Sequence, residues 1–489
     1  MAYRISKSTF QTGLQCRKAL WLKIHEPKLA DPIPESRQAV FDAGNAVGEL
    51  ARSRFVGGVL VTEDYRQSTQ ALETTRQLLH DPPSAIFEAA LQYGGVFVRP
   101  DALVAVGSGE WDLYEVKSST KVKPENITDV AVQTWVLEGA GLKIRRTYLM
   151  HLDNTYVYPG GEYDLDLLFT AEDVTDRVRA FVAEVPVQVA TLLMMLEGPL
   201  SGVRIGKHCD NPYTCAFFGH CHAFLPAQPV TALPRMGSDL LDSLIADGIY
   251  SILDVPLDYS GLTSAQREVC EVVRSGEPRF VGDIERTLAS LSYPVHFLDF
   301  ETFMSALPLY EGTRPYQQIP FQWSDHVLLQ DGTLTHGEFL FQEQADPRVA
   351  FIENLIATLG VSGSVIVYSS FEKSRLGDLA RDLPQNATAI RAIQDRLFDL
   401  MPAIAKHVRH PDCLGSVSIK VVLPSLVGEL SYDGLAISDG NTASRLYLQY
   451  QTGQMTSVQQ AQLFSDLLEY CGMDTLAMVR LLEALRAAS

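Results

Sequence analysis

The stretch GGVFVRPDALVAVGSGEWDLYEVKSST, Gly94 to Thr120, constrains this chain more than any other. It reads as a β-hairpin followed by a strand that runs into a polar bend. From Trp111 to Lys117 the side chains alternate between faces, which sets Glu115 and Lys117 side by side. Asp101 falls on the preceding hairpin strand, where cross-strand pairing brings its carboxylate towards Glu115. Mg²⁺ is a hard cation held by one or two carboxylates while it keeps several waters. A lysine beside it orients an attacking water or stabilises charge growing on a phosphate. A surface hairpin carrying a Glu/Lys ion pair satisfies the same pattern.

Arg99-Pro100-Asp101 followed by Glu115-Val116-Lys117 resembles the PD-(D/E)XK nuclease signature, and Gln133 on the next helix matches the glutamine of the RecB-like branch. The resemblance implies Asp101 and Glu115 as ligands for Mg²⁺ or Mn²⁺, with Lys117 and Gln133 in catalytic roles. Such nucleases offer a GxxxH histidine from an early helix. Here GNAVGEL carries Gly48 at that place, which leaves Glu49 or Glu88, in IFEAAL, as the substitute ligand.

At 489 residues the chain is too long for one core and divides into two or three domains. A hydrophobic fraction of 46% and a charged fraction of 20% are those of an ordinary soluble protein. The sequence has no membrane-length apolar span and no secretory apolar core near its start, so a cytoplasmic location without a membrane partner is expected. The net charge of −19 argues against a broadly basic nucleic-acid coat and leaves room for a narrow basic channel.

Seven cysteines in such a chain are not expected to form a disulfide framework. Cys209, Cys215 and Cys221 cluster in HCDNPYTCAFFGHC, Cys16 lies far upstream, and Cys270, Cys413 and Cys471 sit singly as core thiols. Four thiolates suit an iron–sulfur cluster or zinc. One cysteine before a nuclease core and three after it resembles the iron–sulfur RecB-like exonucleases, which implies a 4Fe–4S cluster on Cys16, Cys209, Cys215 and Cys221. The family's CxxC pair is absent, and His208, His220 and His222 lie close enough to be alternative ligands, so zinc stays open.

The patterning is α/β. Helices are expected from about 8 to 22, 36 to 55, 67 to 80 and 125 to 139, and strands at about 59 to 62 and 147 to 152. After a proline-bearing linker, LLDSLIADGIYSILDVP suits two short helices joined at Gly248, which resembles a helix-hairpin-helix element; a plain helical connector fits equally.

From about Tyr293 a second domain opens. The apolar strand from Val295 to Phe300 presents Asp299 and Glu301 on one face at its end. Another strand, Ser364 to Tyr368, leads to Glu372, and the last helix sets Tyr470 and Asp474 one turn apart. Together DFET, YSSFE and YxxxD resemble the three motifs of the DEDD exonucleases, in the branch with a tyrosine, whose fold is RNase H-like. The resemblance implies two divalent ions held by Asp299, Glu301, Glu372 and Asp474, with Tyr470 orienting a water. Glu372 stands where an aspartate is usual, and Asp399 is another carboxylate within reach; Lys420 and the loop from Asp439 to Thr442 suit a nucleic-acid backbone.

The whole resembles a bacterial two-part family of unknown function. Its expected layout is a PD-(D/E)XK domain over 1–225, a helical connector over 226–292 and an RNase H-like domain over 293–489. The expected activity is a metal-dependent DNA nuclease, in particular an exonuclease, acting on single-stranded DNA or duplex ends, with RNA left open. The alternative is a nucleic-acid-binding or partner-binding protein in which one or both centres are inactive.

Overall fold

The short strand Ile5–Ser6 has no sequence pattern of its own, and it is held by pairing parallel to Val96–Val98, which runs antiparallel to Leu91–Tyr93. The stretch from Gly94 is thus divided between two sheets rather than forming one hairpin. In the computed structural model, which describes residues 3–200, 202–428 and 430–488, the hairpin proper joins Ala102–Ala105 to Glu110–Lys117. The chain divides into two units, residues 1–224 with 306–316, and residues 225–305 with 317–489. Residues 226–292, expected as a connector, fold with the second unit.

The first unit carries a six-stranded mixed sheet in the order Val59–Leu60, Ala85–Phe87, Ala102–Ala105, Glu110–Lys117, Lys143–Leu152, Phe169–Asp173. Glu110–Lys117 and Lys143–Leu152 run parallel, so the chain must cross over between them, and the helix Pro124–Gly139 does this. That helix buries Ile127, Val130, Ala131, Val132, Val136 and Leu137 in the main core with Leu113 and Leu149. At about 25 cal/mol per Å² of apolar surface, such burial outweighs the modest helix propensity of its valines.

Helix Lys7–Gln15 ends at Cys16, and a second helix, Arg17–His25, starts from it. The apolar period runs through both, which is why the sequence reads as one helix. The break comes from Cys16, whose extended backbone (φ −156°, ψ 117°) turns its sulfur back to accept the Ala19 N–H at 3.4 Å.

The second unit is built on a five-stranded sheet in the order Leu334–Leu340, Ile319–Leu328, Val295–Phe303, Ser364–Val367, Leu397–Asp399. The central strand is antiparallel to Ile319–Leu328 and parallel to Ser364–Val367. Between Glu301 and Thr302 the register slips past Phe321 to Pro320, a bulge that bends the strand where its carboxylates project. The helix Ser457–Ala487 opens with a Thr456–Gln459 capping box, worth about 1 kcal/mol, and packs on the two central strands through residues such as Leu467, Cys471 and Met478.

Residues 238–254 form one helix, Ser238–Ala246, then a 3₁₀ turn, Ile252–Asp254. The expected pair of helices is not formed, because Gly248 adopts φ +74° and the chain then runs extended through Ser251 to bridge Pro229. Among the described residues no single helix is long and apolar enough to cross a membrane.

Candidate metal centres

Both acidic clusters sit at strand ends, and they differ in how their charge is balanced. In the first unit Glu115 is almost fully buried. Its Oε1 accepts Lys117 Nζ and Lys7 Nζ, each at 2.7 Å, and its Oε2 accepts Gln133 Nε2 at 2.8 Å. Lys117 also donates to Asp129 Oδ2 at 2.6 Å. Asp101 lies just before the strand Ala102–Ala105 rather than on it, and its Oδ2 accepts the Val116 N–H at 2.6 Å. This backbone bond holds the Asp101 carboxylate beside Glu115.

The electrostatics follow from burial among unlike charges. Burial alone would raise Glu115, yet the Lys117 and Lys7 ammonium groups and the Gln133 hydrogen bond hold it well below the usual carboxylate range. Burial, then the neighbouring Glu115 charge, pushes Asp101 up to about 7. Glu88 interacts with this group electrostatically, but its carboxylate is already placed against Arg99 at 3.3 Å and Arg52 at 3.8 Å. Glu49 is exposed, and a side chain at Gly48 would meet open space.

Lys7 and Asp129 were not singled out in the sequence. Asp129 had a signal, since it precedes Gln133 by one helical turn and so shares its face. Lys7 had none, because its contact with Glu115 spans 108 residues.

Cys16, Cys209, Cys215 and Cys221 line one cavity of the first unit, with His208 beside them. The segments that bear them are tied together: Gln15 Nε2 donates to the carbonyls of His208 at 2.8 Å and Tyr213 at 2.6 Å, and the Cys215 N–H donates to the Cys209 carbonyl at 2.8 Å. Cys215 Sγ accepts the Phe217 N–H at 3.5 Å, as Cys16 does that of Ala19. Burial raises the Cys215 and Cys209 thiols, and the Phe217 amide acts against it at Cys215. His222 is directed away, its Nδ1 at 2.7 Å from the Phe218 carbonyl and its ring stacked on Phe218. His220 is exposed, and all seven cysteines are free thiols.

In the second unit Asp299, Glu301 and Asp474 each offer an oxygen, and these atoms lie within 4.8 Å of one another. Period-two geometry on the strand and the 3.6-residue period of the last helix bring them together. Burial and then the Asp474 charge push Asp299 and Glu301 well above the carboxylate range. Burial pushes Glu372 up to about 8 and Asp474 up to about 6. Glu372 Oε2 is buried with no hydrogen-bond partner among the described residues.

Residues 296–418 match a family model described as a domain of unknown function, DUF2779. The match takes in Asp299, Glu301, Glu372 and Asp399 and stops short of Lys420 and Asp474. An uncharacterized protein of Mycoplasma pneumoniae, the MG366 homolog, is 29% identical over 208 residues, which are 37% of this chain and 31% of that relative. The chain thus spans about a third of that relative's length.

Around the second centre stands a polar corner. Lys420 Nζ donates to the Tyr470 hydroxyl at 3.1 Å and to the Ser438 carbonyl, and lies over the rings of Tyr470 and Tyr432. The Tyr432 hydroxyl donates to Asp474 Oδ1 at 2.5 Å, and Tyr470 also bonds Asp474. Tyr432 lies on a loop without periodicity and was not foreseen. Cys471, expected as an inert core thiol, is buried but lies with its sulfur 3.5 Å from Asp299 Oδ2.

Proposed function

We propose that the chain is a metal-dependent nuclease that hydrolyses phosphodiester bonds, pairing a RecB-like PD-(D/E)XK unit that holds an iron–sulfur cluster with an RNase H-like exonuclease unit of the tyrosine-bearing DEDD type. The observation that carries this reading is the convergence within 4.8 Å of half-buried Asp299 and buried Glu301 and Asp474, like charges in need of a cation. The free Glu372 oxygen supports a fourth ligand. The five-stranded sheet, with Asp299 and Glu301 on its central strand, agrees with an RNase H-like fold.

Divalent ions, when bound there, would polarise a phosphate and ionise a water. Asp299, Glu301, Glu372 and Asp474 would hold them. Tyr470, fixed by Lys420, would orient the water through its hydroxyl, and Tyr432 holds Asp474 in place through Oδ1. Lys420 adds positive charge on the side where a phosphate enters. In the first unit Asp101 and Glu115 would hold a divalent ion and Lys117 would stabilise charge on the phosphate, while Gln133 fixes Glu115. The four-cysteine cavity suits a 4Fe–4S cluster, which links residues 16 and 209–221 and so couples cluster binding to folding of that unit.

Purified protein is to be incubated with Mn²⁺ or Mg²⁺ and end-labelled single- and double-stranded DNA, and RNA, with Asp299→Ala and Lys117→Ala variants alone and combined. Each single variant should remove one activity and spare the other. Undiminished cleavage by the double variant would refute both assignments. Substrate binding without cleavage under every metal condition would favour the alternative, a binding protein with inactive centres, for which the internal lysine pairing of Glu115 is the supporting observation.

A further inference from the structure

Lys7 is the group of the first centre to which the nuclease reading gives no role. It opens the helix Lys7–Gln15 directly after the strand Ile5–Ser6, so its backbone is fixed on both sides. Ser6 caps the helix by accepting the Thr9 N–H at 3.2 Å, and Ile5 and Ser6 pair with Val96 and Phe97. From that root the ammonium reaches Glu115 Oε1 at 2.7 Å and lies 3.7 Å from Asp129 Oδ2. The same Oε1 takes Lys117, and Oε2 takes Gln133, so Glu115 has cations and donors on both oxygens.

The two centres differ in this balance. Asp101, Glu115 and Asp129 face two ammonium groups, those of Lys7 and Lys117. In the second centre Lys420 is the neighbouring cation of Glu301 and Asp474, while Asp299 and Glu372 feel the surrounding carboxylates. We propose that Lys7 is a built-in competitor of the divalent ion for Glu115, a cation that must be displaced before the first centre fills. This rests on Glu115 being a metal ligand.

The physical argument is one of space and charge. A divalent ion about 2 Å from Glu115 Oε1 comes into contact with an ammonium group 2.7 Å from that oxygen. Like charges at such separations repel strongly in a site largely shielded from water. Lys7 has a place to go, because Asp129 is already near and the lysine side chain is 24% exposed. Lys117 cannot yield in the same way, since it is bonded to Glu115 and Asp129 at once. Metal binding at this centre is therefore an exchange of cations, and its affinity falls below that of the second centre.

The test is Mn²⁺ binding, read by electron paramagnetic resonance of the free ion, on the full chain carrying Asp299→Asn and Asp474→Asn so that the second centre is silent. In that background Lys7→Met should lower the Kd about tenfold or more, while Lys7→Arg, which keeps the charge, should stay within about twofold of the parent. Glu115→Gln should abolish binding. If Glu115→Gln leaves binding unchanged, Glu115 is not a metal ligand and the nuclease reading of this centre falls. If Glu115→Gln abolishes binding but Lys7→Met leaves the Kd unchanged or raises it, the competitor is overturned and the metal site stands. Should Lys7→Met lose its cooperative thermal transition, Lys7→Gln, an uncharged donor to Glu115, carries the test with the same expected direction.

Discussion

Asp474 is where the second centre's electrostatic strain is most directly measured. Burial lifts its carboxyl from the ordinary 3.8 to about 6, although the Tyr432 hydrogen bond, the Lys420 charge and Tyr470 pull the other way. A carboxyl raised on folding holds its proton more tightly in the folded chain. Its contribution to stability is therefore complete below about pH 3.8 and lost as pH rises through about 6. The span from 3.8 to about 6 corresponds to about 3 kcal/mol. Asp474→Asn keeps an acceptor for the Tyr432 hydroxyl and removes the titration. In EDTA at about pH 8 the variant should then be more stable than the parent by about 1–3 kcal/mol, an advantage that vanishes near pH 4. Urea unfolding reports this, with amide exchange in the strand Val295–Phe303 as the local probe. Mn²⁺ at about a hundredfold over its Kd should offset most or all of that advantage, because it adds about 2.7 kcal/mol to the parent and less to the variant. An Asp474→Asn protein less stable than the parent in EDTA at about pH 8 would refute the reasoning, since an unstrained carboxylate has no need of a cation.

Tyr470→Phe should lower the cleavage rate of the second centre while Mn²⁺ affinity stays within about twofold, because the hydroxyl orients water and holds no metal; calorimetric titration beside single-turnover kinetics checks both. Anaerobically purified protein should be brown and contain iron and sulfide, and Cys209→Ser should bleach it and lower the melting temperature of the first unit. Colourless protein with stoichiometric zinc would replace iron and keep the ligands. Glu372→Gln should weaken Mn²⁺ binding by about tenfold or more. Asp399→Ala should instead cost about 1 kcal/mol of stability with little effect on the metal.

The parts of the sites that a sequence reveals are those fixed by local period. Asp299 and Glu301 on an apolar strand, Tyr470 and Asp474 one turn apart, and Glu115 beside Lys117 each follow from the geometry of a single element, and each pair meets as read. What the sequence does not reveal is set by pairing over long separations. Lys7 reaches Glu115 only because a two-residue strand docks on Val96 and Phe97. The break at Cys16 is hidden for a different reason: a sulfur serving as helix cap leaves the apolar period intact on either side.

The fourth carboxylate of the second centre shows how structure separates two candidates that sequence leaves equal. Asp399 ends the outer strand Leu397–Asp399 and caps the next helix, Leu400–His407, where its Oδ1 accepts the Met401 N–H at 3.0 Å. Its carboxylate also takes a backbone hydrogen bond from Ser369. An aspartate so engaged satisfies helix and loop amides that would otherwise lack partners. Glu372 lies in the first turn of the helix Phe371–Asp382, buried, with Oε2 free of hydrogen bonds among the described residues and its charge felt by both Asp299 and Glu301. A buried carboxylate oxygen without a donor is costly unless something else approaches it. The cation proposed for Asp299, Glu301 and Asp474 would relieve Glu372 as well, whereas Asp399 is already satisfied by the amides it caps. The extra methylene of the glutamate is thus a matter of reach, and the aspartate nearby is the cap that keeps the neighbouring loop in place.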